Sequence, residues 1–133
     1  MSGKTNLSEL LKGMTPKLNK GEYVFCTIKD SSLLDRKKVI CEFTEAEGIT
    51  IITTKGYADE QGFTYSFIAS WITLTIHSSL EAVGLTAAFS SELTKHNISC
   101  NVIAAYYHDH IFVDKKDAAK AIMVLEELSK KQE

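Results

Sequence analysis

The chain has 133 residues, enough for one compact domain or for two very small units sharing a core. With 44% hydrophobic residues, 24% charged residues and a formal net charge of -2, it offers no basic stripe for nucleic acid and no electrostatic reason to sit on a membrane. Its longest strongly apolar stretch, Phe67 to Ile76, is interrupted by Ser70, Thr73 and Thr75 and falls well short of the roughly 20 residues that span a bilayer.

The opening MSGKTNLSELLKGM lacks the apolar core of a signal peptide. Cys26, Cys41 and Cys100 are odd in number, widely spaced and set in apolar runs. That pattern suits buried, reduced thiols in a cytoplasmic protein, and the absence of any C-x-x-C argues against a zinc site.

In chain order, Asn6-Leu7-Ser8-Glu9 reads as a helix start, with Leu7, Leu10 and Leu11 on one face and an end near Gly13. Pro16 forbids continuation. Glu22–Ile28 is a strand, as are Val39–Phe43 and Ile49–Thr54, joined by a turn at residues 45–48 in which Gly48 is free to take positive φ. Lys55–Gly62 suits a helical turn. Phe63–Ile76 is strand-like but too long for a small domain at about 3.3 Å per residue, so a bend near Ser70 is expected.

Leu80–His96 carries a wide helical stripe, and Asn97 suits a left-handed stop. Ile98–Ala105 and His110–Val113 read as strands joined by a turn at 106–109. Asp114 caps a last helix whose inner face is Ala118, Ala121, Ile122, Leu125 and Leu128. This second half has the order β–α–β–β–α, a ferredoxin-like unit without its final strand. A faint repeat, Thr27–Leu33 against Thr75–Leu80, and a matching strand order point to two such units, the first with its helix reduced to Leu33–Lys38.

Chemistry concentrates at HSSLEAVGLTAAF, residues 77–89. Ser78 and Glu81 fit a capping box, which accounts for both residue types. Gly84, in the first turn of the expected helix, costs about 1 kcal/mol against alanine and so asks for a close approach by another group. Free amides at a helix start suit a carboxylate. His77 with His108-x-His110 invites a metal, and Ser78 or Ser79 with His77 and Asp109 invites hydrolysis. The first has a plainer reading as a polar hairpin, and the second lacks a G-x-S-x-G elbow. No metal, cofactor or catalytic residue is assigned.

At Glu81–Leu93, EAVGLTAAFSSEL resembles the ACT-domain pattern, with Gly84, Leu85 and Ala87 at the G-L-x-A positions, and ISCNVIAAYYHDHIFV matches the two following strands. The longer string from His77 to Val113 is similar to small bacterial proteins of two ACT-like units, related to the ACT pairs of cytosolic arginine sensors. In the broader family a proline often precedes the glycine, where Val83 stands here. The resemblance implies an α+β fold of two ferredoxin-like (ACT-like) βαββαβ-derived units, antiparallel sheets with helices on one face, residues 1–66 and 67–133.

It further implies a non-catalytic regulatory protein that binds a small ligand, expected to be an amino acid, and forms a homodimer without nucleic acid or membrane. His77, Ser78, Ser79, Val83 and Gly84 would receive the ligand carboxylate. Asp109 would hold its ammonium, with Asn101 a weaker contributor. The alternative is an interaction module whose pocket is closed by Tyr106 or Tyr107, and less favoured still is a metal-dependent enzyme.

Overall fold

A computed structural model describes residues 6–76 and 83–132. The chain divides into two compact units: Gly21–Ala69 forms one, and the described residues up to Lys20 fold with those from Ser70 onward into the other.

The Gly21–Ala69 unit is an antiparallel sheet in the order β3-β4-β2-β5. Strands β2 (Tyr23–Ile28), β3 (Val39–Thr44) and β4 (Ile49–Thr54) lie where alternating β-branched residues predict them. The fourth place is taken by Ile68 and Ala69 at the start of β5 (Ile68–Thr75), paired with Val24 and Tyr23. Helix α2 (Lys55–Gln61) is capped by Thr54, whose hydroxyl accepts from the Tyr57 amide at 3.2 Å, and stops at Gly62 with φ 73°. Val24, Cys26, Ile51 and Ala58 form the core between sheet and helix, with Phe63 and Tyr65 packed beside them. The expected first helix is only a 3-10 turn, Arg36–Lys38, started by the Asp35 carboxylate.

Gly48 closes the β3–β4 hairpin, where the Glu45 amide donates to its carbonyl at 2.9 Å, but it is not among the positive-φ glycines. Its requirement is room: a Cβ there would lie 2.8 Å from Thr27 Oγ1 and 3.3 Å from the Ile28 carbonyl oxygen.

The other unit has the order β5-β7-β6, with β1 on the opposite side of β5. Here β1 is Thr15–Leu18, β6 is Asn101–Ala104 and β7 is Asp109–Asp114. The strand missing from the β–α–β–β–α order is therefore β1, supplied from the start of the chain and paired antiparallel with Ile72–Thr75. Sequence reading took Pro16 only as a helix stop. The Asn19 amide donates to the Trp71 carbonyl at 2.9 Å, which by antiparallel alternation puts Lys17 and Thr15 at bonded positions and Pro16 at a position whose N–H is not needed.

Three helices cover one face of this sheet: α1 (Leu7–Lys12), α3 (Leu85–Lys95) and α4 (Ala118–Lys130). Asn6 caps α1 by accepting from the Glu9 amide at 3.1 Å. The Lys12 carbonyl accepts from the Ser129 hydroxyl at 2.9 Å, tying α1 to α4. Alternation in the strands sends Ile72 and Leu74 from β5, followed by Ile76 just beyond its end, and Ile111 and Val113 from β7 into a core with Phe89, Leu93, Ala121, Leu125 and Leu128.

Four expectations need correction. The long run from Phe63 becomes strand only at Ile68, because Phe63–Phe67 follows the left-handed Gly62 as a connection. The strand expected from Ile98 begins at Asn101, Ile98 being buried in the core instead. Helix α3 starts at Leu85 rather than Leu80, with Gly84 at its N-cap. Of the thiols only Cys26 is fully buried; Cys41 and Cys100 are partly exposed, and all three are free. Asn97 does adopt the left-handed conformation expected of it, φ 61°.

Candidate ligand-binding site

The end of β5, the start of α3 and the start of β7 are the elements that carry the candidate residues. His77, Ser78 and Ser79, together with the Ser78–Glu81 capping box, lie outside the described residues. Val83 is 84% exposed. Gly84 has φ 95° and ψ -12° and makes no side-chain cap. The sequence argument for it, a costly glycine in the first helix turn that asks for a close approach, gives way to its position before the helix. Its backbone is left-handed, and a Cβ there would lie 3.4 Å from Leu7 Cδ2 in α1. Leu7 is a neighbour the sequence does not advertise, because nothing local links residue 7 to residue 84.

His108 Nδ1 lies 3.3 Å from the Ile76 carbonyl oxygen and 3.4 Å from the Ile76 nitrogen, so the start of β7 is bound to the end of β5. Asp109 follows at once, half-buried. Burial pushes its carboxyl above the usual carboxylate range, while His110 and His108 pull it back. Among the described residues its carboxylate has no hydrogen-bond or ion-pair partner.

Asn101 is not brought to this place. It pairs with Phe112, three positions along β7 from Asp109 and so about 10 Å away along the strand. It is exposed, and its amide donates to the Phe112 carbonyl at 3.2 Å. The tyrosines that would have closed a pocket do not: Tyr106 and Tyr107 are 79% and 71% exposed, their rings edge-to-face at 5.0 Å. Among the described residues no three His, Cys, Asp or Glu side chains converge as a metal site requires.

Sequence reasoning also left out a polar cluster on the sheet face opposite the helices. Trp71 Nε1 donates to His110 Nδ1 at 3.0 Å, and Thr73 Oγ1 lies 3.1 Å from the same nitrogen. The only available signal was the i, i+2 spacing of Trp71 and Thr73 on one strand.

Against family models, residues 2–70 match one ACT domain and residues 66–127 match another. The chain belongs to the ACT-domain family and carries two ACT-type units in tandem, of ferredoxin-like α+β fold. ACT domains are regulatory modules that bind small ligands such as amino acids. Among solved structures the chain is similar to a protein of unknown function from Vibrio cholerae described as a possible transport protein, with 47% identity and TM-score 0.84 over 94% of this chain and 97% of that one. A protein from Agobacterium tumefaciens has the same fold at 16% identity and TM-score 0.68, covering 87% of this chain and 89% of that one. So does the regulatory subunit of aspartate kinase from Thermus thermophilus, in its ligand-free form, at 7% identity and TM-score 0.61 over 85% and 95%. No curated protein sequence matches the chain. Among the described residues no helix is long and apolar enough to cross a membrane.

Proposed function

We propose that this protein is a non-catalytic, cytoplasmic regulatory protein that binds an amino acid where β5, α3 and β7 of its second ACT unit meet, and that it acts as a side-by-side homodimer. The observation that carries the reading is Asp109. A half-buried carboxylate without a partner among the described residues lowers stability at neutral pH, and a ligand ammonium is the charge that would offset it. The amide end of α3, which begins after Val83 and Gly84, supplies donors suited to the ligand carboxylate, and residues 77–79 are assigned to the same carboxylate. Asn101, three positions away, contributes to the strand rather than to the ligand. With Tyr106 and Tyr107 both exposed, no observation favours the closed-pocket interaction module.

Thermal shift against the twenty amino acids tests this reading. A ligand at 100 times its dissociation constant stabilises by about 2.7 kcal/mol, equivalent to several degrees. The shift is expected for one or a few amino acids and is expected to vanish in Asp109→Asn. No shift with any amino acid, or one that Asp109→Asn leaves intact, refutes the assignment.

A further inference from the structure

The tetrad Asn19, Thr73, Trp71 and His110 has its proton positions determined by chemistry. The Asn19 amide nitrogen donates to two acceptors, the Trp71 carbonyl at 3.2 Å and Thr73 Oγ1 at 2.9 Å. A carbonyl can only accept, so the Asn19 NH2 faces this side and Thr73 Oγ1 serves it as acceptor. The Thr73 hydroxyl hydrogen is then free to point at His110 Nδ1, 3.1 Å away. The indole N–H of Trp71 can only donate, and it ends on the same Nδ1 at 3.0 Å. The indole therefore fixes this ring nitrogen as an acceptor that carries no proton, and the Thr73 hydroxyl can add a second donor to it. His110 is neutral with its hydrogen on Nε2.

We infer that His110 is a proton-sensitive clasp between β5 and β7: its neutral Nδ1 holds the Trp71 indole of β5, and protonation at that nitrogen releases it. The clasp lies on the sheet face away from the helices, where the imidazole also sits 5.7 Å from the Trp71 ring and Phe112 stacks on the same indole at 6.1 Å. Protonation sets an N–H against the indole donor, so the indole must turn away or its N–H must find another acceptor, while the Thr73 hydroxyl can rotate to accept from the ring.

The groups around the imidazole agree with a neutral ring. On β5 it faces Trp71 and Thr73, neither charged. Across the ladder on β6 stands Ile103, and on β1 the residue opposite Thr73 is Lys17. On its own strand is Asp109, and just before that strand is His108. Burial holds the His110 pKa below the usual histidine range, His108 adds to this, and Asp109 opposes both. The folded value lies below the unfolded one, so at neutral pH the ring contributes nothing adverse. Stability is lost as the pH falls from the unfolded value of about 6.5 through the folded value.

Trp71 is the only tryptophan in the chain, so its fluorescence reports this site alone. In the full-length protein we expect a reversible emission change with a midpoint below pH 6.5, lost in His110→Gln and kept in His108→Gln. Long-range proton–nitrogen NMR on the wild-type protein at pH 7.5 needs no variant and is expected to show His110 as the Nε2–H tautomer. An Nδ1–H tautomer at that pH overturns the inference. So does the absence of any fluorescence transition between pH 4 and 7, or a transition that survives in His110→Gln.

Discussion

Replacing Gly84 by alanine distinguishes two accounts of the residue by the sign of the effect. If Gly84 lay within a helix turn, alanine would stabilise the protein by about 1 kcal/mol, the ordinary difference in helix propensity. The structure instead places it before the helix at φ 95°. A Cβ in that backbone meets the following carbonyl at a cost of about 1–2 kcal/mol. The added methyl would sit 3.4 Å from Leu7 Cδ2, ordinary contact that adds little. Gly84→Ala is therefore expected to lose about 1–2 kcal/mol, a fall of roughly 0.5–1 M in the urea midpoint. Asparagine tolerates left-handed backbone better, so Gly84→Asn is expected to lose less. Equilibrium urea unfolding followed by far-UV circular dichroism measures both. An alanine variant as stable as the parent, or more so, refutes the left-handed assignment and restores the helical one.

Gly48→Ala is expected to destabilise by about 1–2 kcal/mol for a different reason, the 2.8 Å approach to Thr27 Oγ1. In a Thr27→Ala background most of that loss should disappear, and a double-mutant cycle by urea unfolding that shows additive effects would contradict it. Asp109→Asn should raise the urea midpoint at pH 7. Its carboxyl is raised by burial, so the folded state holds the proton more tightly and the charged form lowers stability above that pKa. The gain should shrink toward zero by about pH 3, where both carboxyl populations are protonated; a gain that stays constant with pH would exclude burial of the charge as its cause. A fragment of residues 67–133 lacks β1 and the Leu10, Leu11 and Met14 side chains that complete its core. Those three alone contribute on the order of 5–9 kcal/mol, comparable with a whole small domain, so the fragment is expected to give an unfolded circular dichroism spectrum, and cooperative melting would refute the dependence.

What could be read from the sequence follows the range of the interactions responsible. Strand β4 and helices α1 and α4 announce themselves through their side-chain periodicity, and α1 also through a cap that acts within four residues, Asn6 on Glu9; Asp114, expected to cap α4, caps the 3-10 turn Lys115–Asp117 before it. β1 was not legible, because a proline in a four-residue segment looks like a breaker until its partner strand is known. Only the register against β5 shows that Pro16 needs no N–H. Gly48 and Gly84 were both recognised as glycines with a purpose, but for Gly48 it lay in Thr27, far off in sequence, and for Gly84 in its own left-handed backbone. For the candidate site, Asp109 opens β7, one residue before the strand start read from the sequence. Asn101 illustrates the opposite: it belongs to the same hairpin, yet two-residue alternation and strand rise carry it about 10 Å along the ladder.

The supply of β1 from the start of the chain also bears on how the second ACT unit is held together. Pairing between Thr15–Leu18 and Ile72–Thr75 closes a loop of more than fifty residues, and loop-closure entropy rises only as the logarithm of length, so the unit bears little extra cost for so distant a strand. What it gains is cover. α4 packs on β1 as well as on α3, and the Lys12 carbonyl accepts from Ser129 in the last turns of α4. The edge of β5 that would otherwise present unpaired N–H and C=O groups is occupied, and the occupying strand carries a proline and a lysine, residues that discourage further pairing at a sheet edge. The same strand presents Asn19, just beyond its end, to Thr73 and so reaches the His110 clasp. One short segment thus completes the sheet, seals the core beneath α4 and positions the polar cluster on the other face.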